Sequence, residues 1–166
     1  MKPLAPPPVS LLDKYAGPDV QPLYTATVRV SGGEAGHGRA SGVARSDDGN
    51  LDLQLRLPPE LGGEGGGTNP EQLFAAGYAA CFHGAMSLLA AKSGLCVAGS
   101  AVEVAVTFAR DPMDGLFLIS AEVKIHLPSL PKATAEELVR NTERLCPYTK
   151  MALHGINSTA TLATHA

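Results

Sequence analysis

One stretch of this chain restricts its fold more than any other: residues 68–94, an apolar helix that carries its own start and stop signals. Asn69 is a good N-cap, Pro70 suits the first helical position, and Thr68 and Glu71 have the spacing of a capping box. From residue 73 to residue 91 the chain is apolar on almost every side, and the helix is expected to run to about Ser93 and stop at Gly94. No face of such a helix suits water, so it is expected at the buried centre of the structure. It is not read as a membrane span, which takes about 18 apolar residues in a row. Glu71 and Gln72 stand at its start, His83 lies inside it and Lys92 is at its end.

The rest of the chain must cover that helix. At 166 residues it is long enough for one domain with a real core, and 45% hydrophobic against 17% charged residues excludes a disordered acidic chain or a coiled coil. Residues 1–21 form a separate Pro-rich arm (Pro3, Pro6, Pro7, Pro8, Pro18) in which Leu11, Leu12 and Tyr15 can pin a short turn. Residues 22–166 are expected to form a single domain. Apolar and polar residues alternate from Leu23 to Val30, from Arg39 to Arg45 and from Leu51 to Leu57, with Asp48-Gly49 as a hairpin signal, which predicts a three-stranded meander.

The glycine run 62–67 lacks the following Gly-Lys-Ser/Thr, and no strand leads directly into it, so a phosphate loop is set aside. Beyond the helix, residues 101–110 and 116–127 alternate around the turn Asp111-Pro112-Met113-Asp114-Gly115. An amphipathic helix is expected over about 134–145, with Thr134 and Glu137 as a second capping box. Cys146-Pro147 closes it and can cap a short further helix, and residues 157–163 read as a last strand. The order βββ-α-ββ-α-β defines an α+β fold.

A net charge of −3, with no basic stripe interleaved with aromatics, argues against a nucleic-acid partner. Without a signal-type apolar region at the N-terminus, the expected location is the cytoplasm. Three cysteines without CxxC spacing make neither a disulfide scaffold nor a zinc site, and the five histidines are scattered. In a reducing compartment a free cysteine is either an inert small hydrophobe or a reactive thiol.

Cys81 sits in the middle of the apolar helix, with Gly77, Tyr78, Gly84 and Ala85 one turn away. Those small neighbours leave room beside the sulfur, although a packed core thiol explains the same residues. Cys146, directly before Pro147 at a helix start, is placed to see the N–H groups of that turn, which favour a thiolate. The two cysteines, 65 positions apart, can form a disulfide if the fold brings them together. A reactive sulfur also needs a cation, and Arg39, with Glu71 as a bidentate partner, is the candidate. A solvated strand-edge arginine is the simpler account of Arg39 taken alone.

The segment from Glu60 to Phe82, with Thr68-Asn69-Pro70-Glu71 and Cys81-Phe82 in it and Cys146-Pro147-Tyr148 downstream, resembles the organic hydroperoxide resistance family. That family is a branch of the osmotically inducible protein superfamily of thiol peroxidases, and the resemblance covers residues 22–163. It implies central buried helices wrapped by antiparallel sheets in an intertwined homodimer, with two active sites at the interface. By motif, Cys81 matches the peroxidatic cysteine, Cys146 the resolving cysteine, Arg39 the arginine that orients thiolate and peroxide, and Glu71 its salt-bridge partner. The implied substrates are alkyl or fatty-acid hydroperoxides, and the implied reductant is a dihydrolipoyl group on a lipoylated protein, with no metal and no flavin. Two features depart from the family: the arm is extra, and Thr149-Lys-Met-Ala-Leu-His-Gly-Ile-Asn157 replaces the usual Ser-Asn-Ala-Thr-Arg-Gly-Asn.

The expected chemistry is a Cys81 sulfenic acid that condenses with Cys146 to an intramolecular disulfide, which a dithiol then reduces. Phe74, Gly77, Tyr78, Phe82 and Met86 are the expected substrate-binding surface for an alkyl tail. Glu71 and Cys81 are ten residues apart, about 15 Å on an unbroken helix. Either the helix bends at Gly77 or the Arg39–Glu71 pair serves the Cys81 of a second copy, and the second copy is preferred. His83 points about 200° away from Cys81 around the helix, which argues against a Cys–His couple. His37 reads as a solvated loop residue, Cys96 as a buried spectator, and Tyr148 as packing over the redox pair. The alternatives are a Cys81-dependent hydrolase using His37 or His154, and a non-enzymatic redox sensor or binder of apolar ligands beside Gly77.

Overall fold

A computed structural model describes residues 12–34 and 40–163. Arg39 and His37, and the first eleven residues of the arm, lie outside the described residues. The elements follow the expected order through the second long helix. They are β1 (Val28–Ser31), β2 (Ser41–Ser46), β3 (Asp52–Arg56), α1 (Pro70–Lys92), β4 (Ala101–Arg110), β5 (Phe117–His126), α2 (Lys132–Leu145) and α3 (Pro147–His154). The chain divides into two compact units, one of residues 13–77 and 105–122, the other of 78–104 and 123–163.

In the first unit β1, β2 and β3 form an antiparallel meander in which Ala44 pairs with Val30 on one side and Leu53 on the other. Ala40, Ala44 and Leu55 are its buried apolar residues. The Asp48-Gly49 signal makes the turn as expected. The Asp48 carboxylate accepts from the Ser46 hydroxyl at 2.6 Å, the Asn50 N–H at 3.0 Å and the Asn50 side-chain amide at 2.7 Å. Those donors hold its pKa down at about 2, the Ser46 hydroxyl contributing most. β1 is shorter than predicted: Thr27 still accepts from the Asp47 N–H at 3.0 Å, but residues 23–27 form no strand and are exposed.

The glycine run has a packing role in this unit. A Cβ on Gly67 would stand 2.7 Å from the Gln54 carbonyl oxygen, and one on Gly63 would overlap the Leu57 backbone. This close approach lets Thr68 lace onto β3, donating to Gln54 O at 2.9 Å and accepting from the Arg56 N–H at 2.8 Å. The next residue caps α1: Asn69 Oδ1 accepts the Gln72 N–H at 2.9 Å. The Thr68 hydroxyl meets the Gln72 side chain at 3.0 Å.

In the second unit α1 buries one stripe, Tyr78, Phe82, Met86 and Ala90, four residues apart. Met86 and Ala90 join Leu138 of α2 in a core surrounded by Leu89, Leu95, Val97, Val102, Ile125, Leu127 and Leu130. The expectation of a helix buried on all sides is not met within this chain, since Ala76, Ala80, His83, Gly84 and Ala91 are exposed. The expected polar interruptions are present, yet α1 is apolar enough overall to meet the length and composition of a span, as the core helix of a globular protein also can. Its mean hydropathy is 1.4 over an 18-residue window of which 22% is buried. Histidine and glutamine do not interrupt it as charged residues would.

Two further expectations fail at the C-terminal end. α2 begins at Lys132, two residues early, behind Pro131, so Thr134 already lies inside its first turn and makes no cap. Residues 157–163 alternate but are exposed and form no strand, because an alternating segment becomes one only when a neighbouring edge takes its backbone groups.

Candidate active site

The second unit brings Cys81 and Cys146 together. Their Sγ atoms are 3.5 Å apart, and both cysteines are free. A disulfide needs about 2.05 Å, so bonding requires the sulfurs to close by about 1.5 Å. Proline fixes the corner that achieves this. The residue before a proline is driven out of the helical region, and Cys146 accordingly sits at φ −68°, ψ 117° between two helices. Its N–H still donates to Thr142 O at 2.8 Å to finish α2, while its carbonyl accepts from the Lys150 N–H at 3.1 Å to start α3. Cys146 is wholly buried and Cys81 partly so.

Burial pushes the Cys81 thiol above its usual pKa of 9.0, and the neighbouring Cys146 pushes the same way. The backbone N–H of Tyr148, in the first turn of α3, pulls in the opposite direction by hydrogen bonding to the sulfur. From its place before Pro147, Cys146 is the residue expected to see the N–H groups of the α3 N-terminus. The N–H of that turn at Tyr148 acts on Cys81.

The other residues expected at the site divide by burial. Tyr78, Phe82 and Met86 are buried, while Phe74, Gly77 and Glu71 are half-buried on the first turns of α1. α1 is helical without interruption from Pro70 to Lys92, so Glu71 and Cys81 are nearly three turns apart along it. Tyr148 packs its ring on that of Tyr78, with centroids 5.9 Å apart. His83 is exposed, with its Nε2 3.3 Å from the Ser100 hydroxyl. Cys96 is exposed rather than buried, since Gly94 ends the helix and the chain runs over the surface. Sequence reasoning missed Thr149, which is buried and accepts the Tyr78 hydroxyl at 3.2 Å. Its place on the inner side of the first turn of α3 was the available signal.

An α+β chain built on one apolar helix, with two free thiols facing across a helix corner, is a class with characterised members. Residues 63–161 match the family described as OsmC-like protein. The organic hydroperoxide resistance protein of Xanthomonas axonopodis pv. citri (strain 306) is 44% identical over 143 residues, covering 85% of this chain and 95% of that protein. The organic hydroperoxide resistance protein OhrB of Bacillus subtilis (strain 168) is 41% identical over 128 residues, covering 77% and 89%. Among solved structures, an organic hydroperoxide resistance protein from Legionella pneumophila superposes with a TM-score of 0.70 at 38% identity, covering 81% of this chain and 93% of that one. The chain belongs to the OsmC-like family, in its organic hydroperoxide resistance branch.

Proposed function

We propose that this chain protects against organic hydroperoxides as a thiol-dependent peroxidase. The observation that carries the reading is the 3.5 Å gap between the two sulfurs. The Cys81 thiolate attacks the distal oxygen of a hydroperoxide. The O–O bond breaks, the alkoxide takes up a proton to leave as an alcohol, and Cys81 is oxidised to a sulfenic acid. The Cys146 sulfur then displaces that hydroxyl, which leaves as water with the Cys146 proton, and an S–S bond forms. An external dithiol, a dihydrolipoyl group on a lipoylated protein, returns both thiols by exchange and is itself oxidised to a disulfide.

Arg39, paired with Glu71, supplies the cation that a thiolate needs, which matters because burial raises the Cys81 pKa. Phe74, Gly77, Tyr78, Phe82 and Met86 supply the apolar α1 surface for the alkyl group, and bury it better than a bare hydrogen peroxide molecule could use. The uncovered apolar faces of α1 support assembly as a homodimer, in which the Arg39–Glu71 pair of one copy serves Cys81 of the other. The arm of residues 1–21 is an addition to a domain of residues 22–166, and the protein acts in the reducing cytoplasm.

Steady-state turnover with dihydrolipoamide tests this. Cumene hydroperoxide is expected to be consumed far faster than hydrogen peroxide. Comparable rates would remove the apolar-substrate reading, and no turnover of either would remove the enzyme.

A further inference from the structure

The buried bond between Tyr78 and Thr149 is used by none of the chemistry above. Tyr78 is 5% exposed and lies three residues before Cys81 on α1; Thr149 is 8% exposed and lies three residues after Cys146 on α3. Their hydroxyls meet at 3.2 Å, and the Tyr78 ring also packs on Tyr148, so two successive residues of α3 rest on one side chain. That first turn of α3 has no side-chain cap, and Pro147 contributes no N–H. The turn is tied to α2 through the Cys146 backbone and meets α1 at Tyr78. Two groups that act on the Cys81 sulfur, the Cys146 thiol and the Tyr148 N–H, belong to it.

We propose that Tyr78 and Thr149 are positioning residues: their hydroxyl–hydroxyl bond is a clasp that holds the first turn of α3 against α1 and so sets the distance across which Cys146 reaches the oxidised Cys81. The proposal rests on the thiol peroxidase reading for its biological meaning, but the geometry acts on any oxidation that joins the two sulfurs. When the clasp is lost, the Cys146 sulfur visits the bonding distance less often, so condensation of the Cys81 sulfenic acid with the Cys146 thiol, with loss of water, slows. A sulfenic acid that waits longer takes a second oxygen from excess hydroperoxide and becomes a sulfinic acid.

The test measures formation of the Cys81–Cys146 bridge in the full chain by quenched-flow alkylation and mass spectrometry. Two oxidants are used: diamide, whose N=N bond takes up the two electrons and two protons released, and cumene hydroperoxide. The variants are Tyr78→Phe, Thr149→Val, the two combined, and Thr149→Ser. Each single variant is expected to bridge about three- to tenfold more slowly with diamide, the range set by one buried hydrogen bond, and to accumulate sulfinic acid at Cys81 under excess hydroperoxide. Thr149→Ser keeps the hydroxyl and is expected to bridge at the wild-type rate. The combined variant leaves no hydroxyl unpaired, so its melting temperature should recover toward wild type while its bridging stays slow. A purely structural role predicts the reverse, with bridging restored along with stability.

Wild-type diamide rates in the single or combined variants would overturn the clasp and leave the peroxidase reading standing. A wild-type protein that bridges with diamide but not with hydroperoxide would overturn the peroxidase reading and leave the clasp. No bridge with diamide in the wild type would overturn the clasp.

Discussion

Joining Cys81 to Cys146 closes a loop of 65 residues, and its effect on stability follows from that length. Removing the loop's freedom from the unfolded chain is worth about 4 kcal/mol in the chain-entropy account. The native state gives back little of this, since the sulfurs already stand 3.5 Å apart and need only a small approach. For a chain of 166 residues each kcal/mol shifts the melting temperature by about 2–4 °C, so the oxidised protein should melt about 8–16 °C above the reduced one. Scanning calorimetry on both forms at one protein concentration, with Cys81→Ser as the control that shows no shift, measures it. A change of under about 2 °C, or a lower melting temperature on oxidation, would mean that bonding distorts the native fold and would refute a preset pair.

Other expectations follow from the same geometry. Cys146 is wholly buried and Cys96 is exposed, so iodoacetamide at neutral pH should label Cys96 well before Cys146; the reverse order, read by peptide mapping, would contradict the assigned environments. The folded state holds the Cys81 proton more tightly than the unfolded state, so this group's stabilisation is full below pH 9.0 and is lost as pH rises through the higher folded value. Urea midpoints of the reduced protein should therefore fall more steeply on the alkaline side than those of Cys81→Ser. Asp48, held down at about 2, supports its turn above 3.8 and loses that contribution as pH falls through about 2, so Asn50 and Leu51 amides should exchange faster there or in Asp48→Ala. Met86→Ala removes a side chain with no exposure from the α1–α2 core and should cost about 2–5 kcal/mol in urea unfolding.

Much of this architecture is written locally. The Asp48-Gly49 turn, the Asn69 cap and the Pro70 start depend on neighbours within a few residues, and each was legible. The corner at Cys146 was legible for the same reason, because Pro147 alone forbids a continuous helix. What failed depended on distant partners. Residues 157–163 alternate like a strand but find no edge, and Thr134 is overridden by a helix that starts earlier at Lys132. Cys96 looked like a core thiol by residue type, but the stop at Gly94 sends it outward. The closeness of Cys81 and Cys146 was an inference from resemblance, since no spacing rule joins residues 65 apart. The Tyr78–Thr149 bond was invisible because two hydroxyls on different helices leave no periodic trace.

The proposed cycle turns on one event, the joining of Cys81 to Cys146 by a hydroperoxide. Reduced protein treated with one equivalent of cumene hydroperoxide, then alkylated and mapped by mass spectrometry, tests it directly. A Cys81–Cys146 bridge within one chain and a free Cys96 are the expected result. A Cys81 that remains a thiol would contradict it.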